Sequence, residues 1–354
     1  MIIPQLTGKV QTVLGLVAPE DLGVTLPHEH ILVDFSPFFH VQPSTATDKH
    51  LASQPITLQN LGWLRMNWEK NLDNLKLLDE ETAIEELLLY ERDGGRTIAD
   101  VTPKHVARDP LGLTRIAQAT GLNIIMGTAY YIAASHPLDM DDRTKHDVAN
   151  EFADEIMIGV DGTGVKAGII GEIGCSWPLA KNELKVLQAA AMAQQETGAP
   201  LMIHPGRNEN APLEIIEILR DAGADLSRSI ICHISRTLFD PANRLKLAEA
   251  GCYLEYDLFG RDSYYYPASW APIELPSDPQ RVDQIRDLIA EGYERQILVS
   301  HDFCAKIYLT RYGGYGYGYL MKCGVPLMRR RGMSEEQIRT ILIDNPKNVL
   351  QFAS

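Results

Sequence analysis

The chain alternates short apolar runs with longer amphipathic stretches, and this alternation limits the folds open to it. Eight apolar runs have the length of buried strands: 23–33, 96–101, 123–128, 167–173, 200–204, 229–233, 252–257 and 296–300. The stretches between them are typical of helices, as at 109–120, 144–159, 180–197, 211–222, 240–250 and 278–291. This pattern predicts an α/β fold, a (β/α)8 TIM barrel. An open doubly wound sheet would alternate similarly, but its Gly-rich turn after the first strand is missing.

The remaining segments fit a single domain over residues 1–354. Residues 1–22 are predicted to form a short N-terminal β-hairpin arm, and 35–62, rich in Pro, Ser and Thr, a long loop after strand 1. A last helix is expected at about 334–349, with Ser334 as its N-cap. The sequence shows no repeat, low-complexity tract or linker that would divide the chain.

The charge of the chain argues against several classes of partner. Its 33 basic and 47 acidic side chains give a formal net charge of −14, whereas binding to nucleic acid or an anionic membrane needs basic patches. No apolar stretch has the length of a membrane span, and no signal peptide is visible at the N-terminus. The five cysteines form no Cys-x-x-Cys pair, which favours reduced thiols and a cytoplasmic location.

Histidines and carboxylates recur where the predicted strands end. His28 and His30 lie on strand 1, and their imidazoles point to the same face if the segment is extended. The others are Glu172, His204, His233 and Asp302, at or just after the ends of strands 4, 5, 6 and 8. Any one of them is often structural, and an Asp there often caps a helix. Together they predict a metal site, because the carboxyl ends of barrel strands converge at one mouth.

Four imidazoles and two carboxylates are more ligands than one zinc ion needs. We therefore expect two divalent metal ions, most simply Zn2+. In this arrangement the first ion takes His28, His30 and Asp302, the second takes His204 and His233, and Glu172 bridges them. A water molecule between two cations loses a proton near neutral pH and becomes a nucleophile. Asp302 is the expected catalytic residue, since it can receive the proton of that bridging hydroxide.

Several longer strings resemble the phosphotriesterase family of the metal-dependent amidohydrolases, and most closely its phosphotriesterase-related branch. They are Gly8–Val17, Thr25–His30, Gly168–Pro178, His204–Arg207, Gly251–Gly260 and Ile297–Asp302. The match runs over essentially the whole chain. The resemblance implies a (β/α)8 barrel, a binuclear centre usually filled by zinc, and hydrolase chemistry.

Two departures separate the chain from the phosphotriesterases proper. Those enzymes bridge their metals with a carboxylated lysine on strand 4, where this chain has Glu172; Lys166, before the same strand, is the alternative bridge. They also carry an Asp-His-Asp proton relay. Asp302 keeps one of its positions, but Arg236 and Leu258 stand at the other two. The broken relay argues against hydrolysis of phosphotriesters.

Two arginines indicate the charge of the small-molecule substrate. Arg207 and Arg236 each lie three residues past a predicted ligand histidine. A guanidinium suits carboxylate, sulfonate or phosphate, so we expect an anionic substrate; a structural salt bridge is the alternative for each arginine. Tyr131, after strand 3, is a further candidate for substrate binding. The Tyr/Gly run 312–319 fits a lid, a pocket wall, a packed surface loop or a subunit contact in a homodimer.

The related branch is associated with hydrolysis of N-acylated amino-sulfonates and amino acids, such as N-acetyltaurine, and nearby branches with sugar lactones. We therefore expect the chain to cleave a small anionic amide. A lactonase or carboxylic esterase is the first alternative, and a phosphotriesterase a further one. A metal-binding protein without turnover is the alternative from another class. Barrel loops change the substrate while the metal site is kept, so the sequence alone leaves these alternatives open.

Overall fold

The computed structural model describes residues 6–261, 265–266 and 273–353. Eight parallel strands follow the order that the apolar runs predict, and we number them 1 to 8 along the chain. They are Thr25–Glu29, Thr97–Asp100, Asn123–Thr128, Ile169–Gly174, Leu201–His204, Ser229–Ile231, Tyr253–Tyr256 and Ile297–Val299. The predicted TIM-barrel architecture is confirmed.

The strands pair side by side in chain order, each parallel to the next. Strands 8 and 1 then lie against each other and nearly close the sheet into a barrel. The register shifts between Leu26 and Glu29 on strand 1, and between Ile170 and Ile173 on strand 4. Both irregularities fall beside predicted metal ligands, and such irregularities redirect side chains from the regular alternation.

Helices cover the outside of the sheet. Those between successive strands include Glu80–Arg92, Pro110–Thr120, Lys145–Met157, Lys181–Thr197, Ala211–Asp221, Ile234–Thr237, Pro241–Glu249 and Asp278–Ala290. Their inner faces carry apolar side chains such as Ile116 and Leu187, which are fully buried in the main core. Gly121 and Gly198 end two of these helices with φ of 71° and 70°, a conformation that glycine adopts without steric cost.

Strand 8 is followed by a helical C-terminal region. It comprises Leu320–Gly324, Val325–Arg330, Glu335–Arg339, Thr340–Asp344 and Asn345–Leu350. The predicted cap is present, since the Ser334 side chain accepts a hydrogen bond from Gln337 N. In the part of the chain that is described, no helix has both the length and the apolar character needed to cross a membrane.

The N-terminal hairpin is formed by Val10–Thr12 paired with Gly15–Val17. It packs against the amino-terminal end of the barrel, where Val13 N donates to Ile124 O at 2.8 Å. The hairpin therefore covers the end of the barrel opposite the mouth. Residues 1–5 of the predicted arm lie outside the described residues.

Both ends of the described chain meet at this covered end of the barrel. Gly8 N donates to Phe352 O at 2.9 Å, and Phe352 N donates to Lys9 O at 2.8 Å. Ala353 N donates to Gly198 O at 2.7 Å, which ties the same segment to the end of a barrel helix. We call this set of contacts the terminal clasp.

The segment 35–62 is not the long loop that its composition predicts. It contains two short helices, Ser36–Phe39 and Ala46–Ala52, and the start of a third, Leu61–Met66. The Thr45 side chain caps the second helix by accepting from Asp48 N at 3.1 Å. Residues that are frequent in loops also serve as helix caps, so composition did not distinguish the two.

Candidate metal centre

The six strand-end residues predicted to bind metal come together at the carboxyl-terminal mouth of the barrel. His28, His30, Glu172 and His233 are buried, whereas the side chains of His204 and Asp302 are 12% and 13% exposed. The group therefore lies at the bottom of a pocket, with two of its members facing the opening.

Glu172 lies at the centre of the group. Its Oε1 is 3.3 Å from His30 Nε2, and its Oε2 is 2.9 Å from His204 Nδ1, 3.5 Å from His233 Nε2 and 3.6 Å from His28 Nε2. Two trios, one of Glu172 with His28 and His30 and one of Glu172 with His204 and His233, each bring their ligand atoms within 4.8 Å of one another. Glu172 is common to both trios, as a bridging ligand would be.

Asp302 completes the group from the turn after strand 8. Its Oδ1 is 3.4 Å from His30 Nε2 and 3.7 Å from His28 Nε2. Its Oδ2 is 2.8 Å from Nη2 of Arg261, which also donates from Nε to His301 O at 3.2 Å. Burial alone would raise the pKa of the Asp302 carboxyl, but the Arg261 guanidinium holds that pKa below its ordinary value.

Two ring nitrogens of the group lack a hydrogen-bond partner among the described residues. His28 Nε2 and His30 Nε2 are both buried, and both face the carboxylates of Glu172 and Asp302. A buried polar atom without a partner is costly. A cation between these rings and carboxylates would satisfy both nitrogens, so the residues fit a bound divalent metal.

Two carboxylates of strand 7 hold the other edge of the histidine rings. His28 Nδ1 is 3.1 Å from Glu255 Oε2 and 3.3 Å from Asp257 Oδ2. Asp257 also accepts from His233 N at 2.9 Å and contacts His233 Nδ1 at 3.0 Å. Such partners fix the orientation of ligand histidines and leave Nε2 for a metal. Sequence reasoning missed their role, although residues two apart on a strand share one face.

The remaining two histidines have different neighbours. His30 Nδ1 is 3.0 Å from Thr102 Oγ1. His204 turns Nδ1 towards Glu172, and its Nε2 lies 3.2 Å from Nη2 of Arg236 and 3.4 Å from the Tyr131 hydroxyl. His204 is thus the histidine of the group that contacts predicted substrate-binding residues.

Burial and charge give the imidazoles different protonation states. Burial lowers the pKa of His30, but the carboxylates of Asp302 and Glu172 outweigh it and raise the pKa to about 9. Burial, reinforced by the neighbouring His233, lowers the pKa of His204 to about 3. The metal-free His30 ring is therefore protonated at neutral pH, and a cation has to displace that proton.

The pocket above the group contains the three residues predicted to contact substrate. Arg207, Arg236 and Tyr131 line it together with His30, Phe35, Trp68, His204, His233, Leu258, Arg261, Asp302 and Cys304. Arg236 is buried and donates to Pro205 O at 3.3 Å, whereas Arg207 is only half-buried. The sequence carried no signal for Arg261, which follows the end of strand 7 in an irregular segment.

Two other predicted segments lie away from the pocket. Lys166, the alternative bridge, precedes strand 4 (Ile169–Gly174) on its amino-terminal side, away from the mouth of the barrel. In the Tyr/Gly run 312–319, Tyr317 is buried and donates to His30 O at 3.0 Å. This tyrosine thus packs behind strand 1.

Known proteins match this chain over nearly its whole length. The phosphotriesterase family profile matches residues 8–350. A phosphotriesterase-related protein of Nematostella vectensis is 45% identical over 98% of this chain and 99% of its own, and an N-acetyltaurine hydrolase of Tetraodon nigroviridis is 44% identical over 98% and 99%. The crystal structure of a resiniferatoxin-binding protein from Rhodobacter sphaeroides has 36% identity and a TM-score of 0.94, over 98% of this chain and 96% of that one. The chain therefore belongs to the phosphotriesterase family and is a metal-dependent hydrolase.

Proposed function

We propose that the chain is a binuclear zinc-dependent hydrolase that cleaves a small anionic amide, of the N-acetyltaurine or N-acyl amino acid type. One observation carries the proposal: the buried Nε2 atoms of His28 and His30 have no hydrogen-bond partner within the described part of the chain. Both atoms face two carboxylates at the bottom of a pocket with arginines in its wall. The relatives named N-acetyltaurine hydrolase support an amide as the substrate.

Two ions account for the whole group of ligands. We assign His28, His30 and Asp302 to one ion, His204 and His233 to the other, and Glu172 to the bridge between them. Imidazole and carboxylate ligands suit zinc. When bound, two such ions lower the pKa of a water molecule between them, so that it can attack a carbonyl carbon near neutral pH.

We assign proton transfer to Asp302. Its Oδ1 faces the histidines of strand 1, and the Arg261 contact to Oδ2 fixes the direction of the carboxylate. Asp302 accepts the proton of the attacking water and returns it to the amide nitrogen as the C–N bond breaks, which yields a carboxylic acid and an amine. Arg261 stays charged and takes no proton, which favours this direct return to the leaving amine.

The arginines are the basis for an anionic substrate. Arg236 is held beside His204, with 3.2 Å between Nη2 and Nε2, and Arg207 borders the same pocket. A sulfonate or carboxylate near these guanidiniums would place the amide of a short substrate above the metal ligands. The Tyr131 ring stands 4.9 Å from the His204 ring, and we assign it to orienting the substrate.

Metal analysis and a hydrolysis screen test the proposal together. Purified protein should hold about two zinc ions per chain, and it should hydrolyse N-acetyltaurine or N-acetyl amino acids faster than a sugar lactone or a neutral phosphotriester. His28→Ala should lose both metal and activity, whereas His146→Ala, at an exposed histidine, should keep both. Less than about one metal per chain in the wild type would refute the binuclear centre. Faster hydrolysis of the lactone than of the amides would instead identify the protein as a lactonase.

The arginine assignment has its own test. Arg207→Ala and Arg236→Ala should raise the Michaelis constant for an anionic amide by about ten-fold or more, since a charged hydrogen bond contributes roughly 1.5–3 kcal/mol. The exposed Arg330→Ala is the matched control. Unchanged Michaelis constants in both pocket variants would show that the arginines serve structure and not substrate binding.

A further inference from the structure

Strands 1 and 8 meet at the seam of the barrel in a different way from the other neighbouring strands. The structure pairs the other neighbours residue by residue, but in the described sheet it records no such ladder between these two. Hydrogen bonds of the Ser300 side chain replace the missing ladder, since Ser300 Oγ donates to His28 O at 2.8 Å and accepts from His28 N at 3.2 Å. Asp302 N adds one bond to His28 O at 3.3 Å. The predicted ligands of one ion thus flank a seam that side chains hold together.

Glu29 makes most of the remaining contacts across this seam. It lies between the two histidines of strand 1 and is fully buried. Its Oε1 accepts from His301 N and His301 Nδ1, each at 2.8 Å. The Ser300 hydroxyl is 2.8 Å from the same oxygen and has one proton to share between it and His28 O. Its Oε2 accepts from Phe303 N at 2.9 Å. One carboxylate therefore binds the backbone N–H groups on both sides of Asp302.

Asp302 needs this support because its backbone is strained. Its φ of 52° lies in the left-handed region, which residues other than glycine rarely adopt. Such conformations persist where the surroundings determine them strongly. Glu29 accepts hydrogen bonds from the N–H groups before and after Asp302 in this turn, and the Asp302 carboxylate faces His28 and His30.

His301 links Glu29 to the chain beyond the turn. Leu320 N donates to His301 Nε2 at 3.2 Å, so Nδ1 carries the proton that it donates to Glu29. His301 thus adds a side-chain hydrogen bond to the backbone bond that its own N–H already makes. This leaves the imidazole outside the group of predicted ligands.

We propose that Glu29 is a positioning residue, which acts with His301 across the barrel seam to aim Asp302 at the ion shared with His28 and His30. This inference rests on the function proposed above for Asp302. If Glu29 is lost, the turn relaxes to an ordinary conformation and the Asp302 carboxylate leaves that ion. Both the affinity for the ion and the rate of proton transfer then fall.

The test is Glu29→Gln, read by Co2+ titration of metal-stripped protein, with Co2+ absorption reporting the ligands. The glutamine places an NH2 group next to a backbone N–H from which the Glu29 carboxylate accepts a hydrogen bond in the wild type. We expect one of the two Co2+ equivalents to lose about ten-fold or more in affinity, as for other residues that orient ligands, with an altered absorption band. The kcat should fall by a similar factor while KM stays within about two-fold, because Glu29 does not line the pocket.

A pair of His301 variants keeps the test valid if Glu29→Gln folds poorly. His301→Asn places an amide N–H at the position of Nδ1, so this variant should keep the Co2+ spectrum of the wild type. His301→Gln places its amide towards Leu320 instead and should resemble Glu29→Gln. Ile98→Ala, in the buried core of strand 2, should lower the melting temperature without changing the spectrum.

Three outcomes separate the possibilities. If Glu29→Gln lowers the melting temperature but keeps the wild-type Co2+ affinity and spectrum, the positioning role is overturned, and Glu29 only stabilises the fold. Wild-type protein that binds less than about one Co2+ overturns the metal centre, and this proposal with it. If the wild-type protein binds Co2+ but hydrolyses none of the amides tested, only the proposed substrate is overturned. The titration still decides whether Glu29 positions Asp302.

Discussion

Asp257 contacts one ligand histidine of each proposed ion, so Asp257→Ala should weaken the binding of both ions at once. Its Oδ1 lies 3.0 Å from His233 Nδ1, and its Oδ2 lies 2.9 Å from His233 N and 3.3 Å from His28 Nδ1. The alanine variant removes both acceptor oxygens, whereas asparagine would keep one of them. Loss of a partner of this kind lowers metal affinity by about 10–100-fold, or roughly 1.4–2.7 kcal/mol.

Thr102→Val is the matched comparison. Thr102 Oγ1 lies 3.0 Å from His30 Nδ1, and the same hydroxyl hydrogen-bonds to the Asp100 carboxylate. Valine keeps the shape of threonine without the hydroxyl. Loss of one such hydrogen bond is worth about 1 kcal/mol, or roughly five-fold in affinity. The loss should be confined to the ion assigned to His28 and His30.

The assay is a competition titration of metal-stripped protein with Zn2+ and a chromophoric chelator, which yields two stepwise binding constants. Asp257→Ala should lower both constants and Thr102→Val one of them. If either constant of Asp257→Ala equals that of the wild type, Asp257 does not serve both ions and the assignment of His28 and His233 to separate ions is wrong. Circular dichroism of both variants checks that the barrel is intact.

Three further outcomes are expected. Because nearby carboxylates raise the pKa of His30 from 6.5 to about 9, Zn2+ affinity should rise with pH up to about 9, and the metal-free fold should lose stability as the pH rises from 6.5 to 9. Calorimetry in two buffers measures the proton that is released on binding, and a Zn2+ affinity that does not change with pH would contradict this expectation. Arg108→Ala breaks a buried bidentate pair with Glu155, at 2.7 and 2.9 Å, so thermal unfolding should show a loss of about 3–5 kcal/mol with unchanged metal content; an unaltered midpoint would argue against this. Chelation should lower the melting temperature of the wild type and of His146→Ala alike, and Zn2+ should restore it, since the ions bind only the folded state.

The barrel and the residues at its mouth could be predicted because both follow from local pattern. A short, mainly apolar strand with a polar residue at or near its carboxyl end marks the mouth wherever strands run parallel. His204 is the last residue of its strand, and Glu172 lies two residues before the end of its strand. The pairing of His28 with His30 needs only the alternation of side chains. None of these inferences depends on how distant segments pack.

The residues behind and beside the centre depend on such packing. Arg261, in the segment after strand 7, reaches Asp302 in the turn after strand 8, and nothing in its local sequence indicates this contact. Glu29 points away from His28 and His30, so the alternation of side chains that predicts these histidines as metal ligands excludes Glu29 from the predicted group. The helices within 35–62 depend on caps such as Thr45, which composition does not separate from loop residues.

The terminal clasp has a consequence for the order of the chain. Since Gly8 and Phe352 are hydrogen-bonded at the end of the barrel farthest from the chemistry, a short linker between the two segments would make the polypeptide a closed ring. New ends could then be cut at the exposed turn 249–251 before strand 7. Such a circular permutant should assemble the same six-residue metal group from a rearranged gene, because each strand still meets the same neighbours.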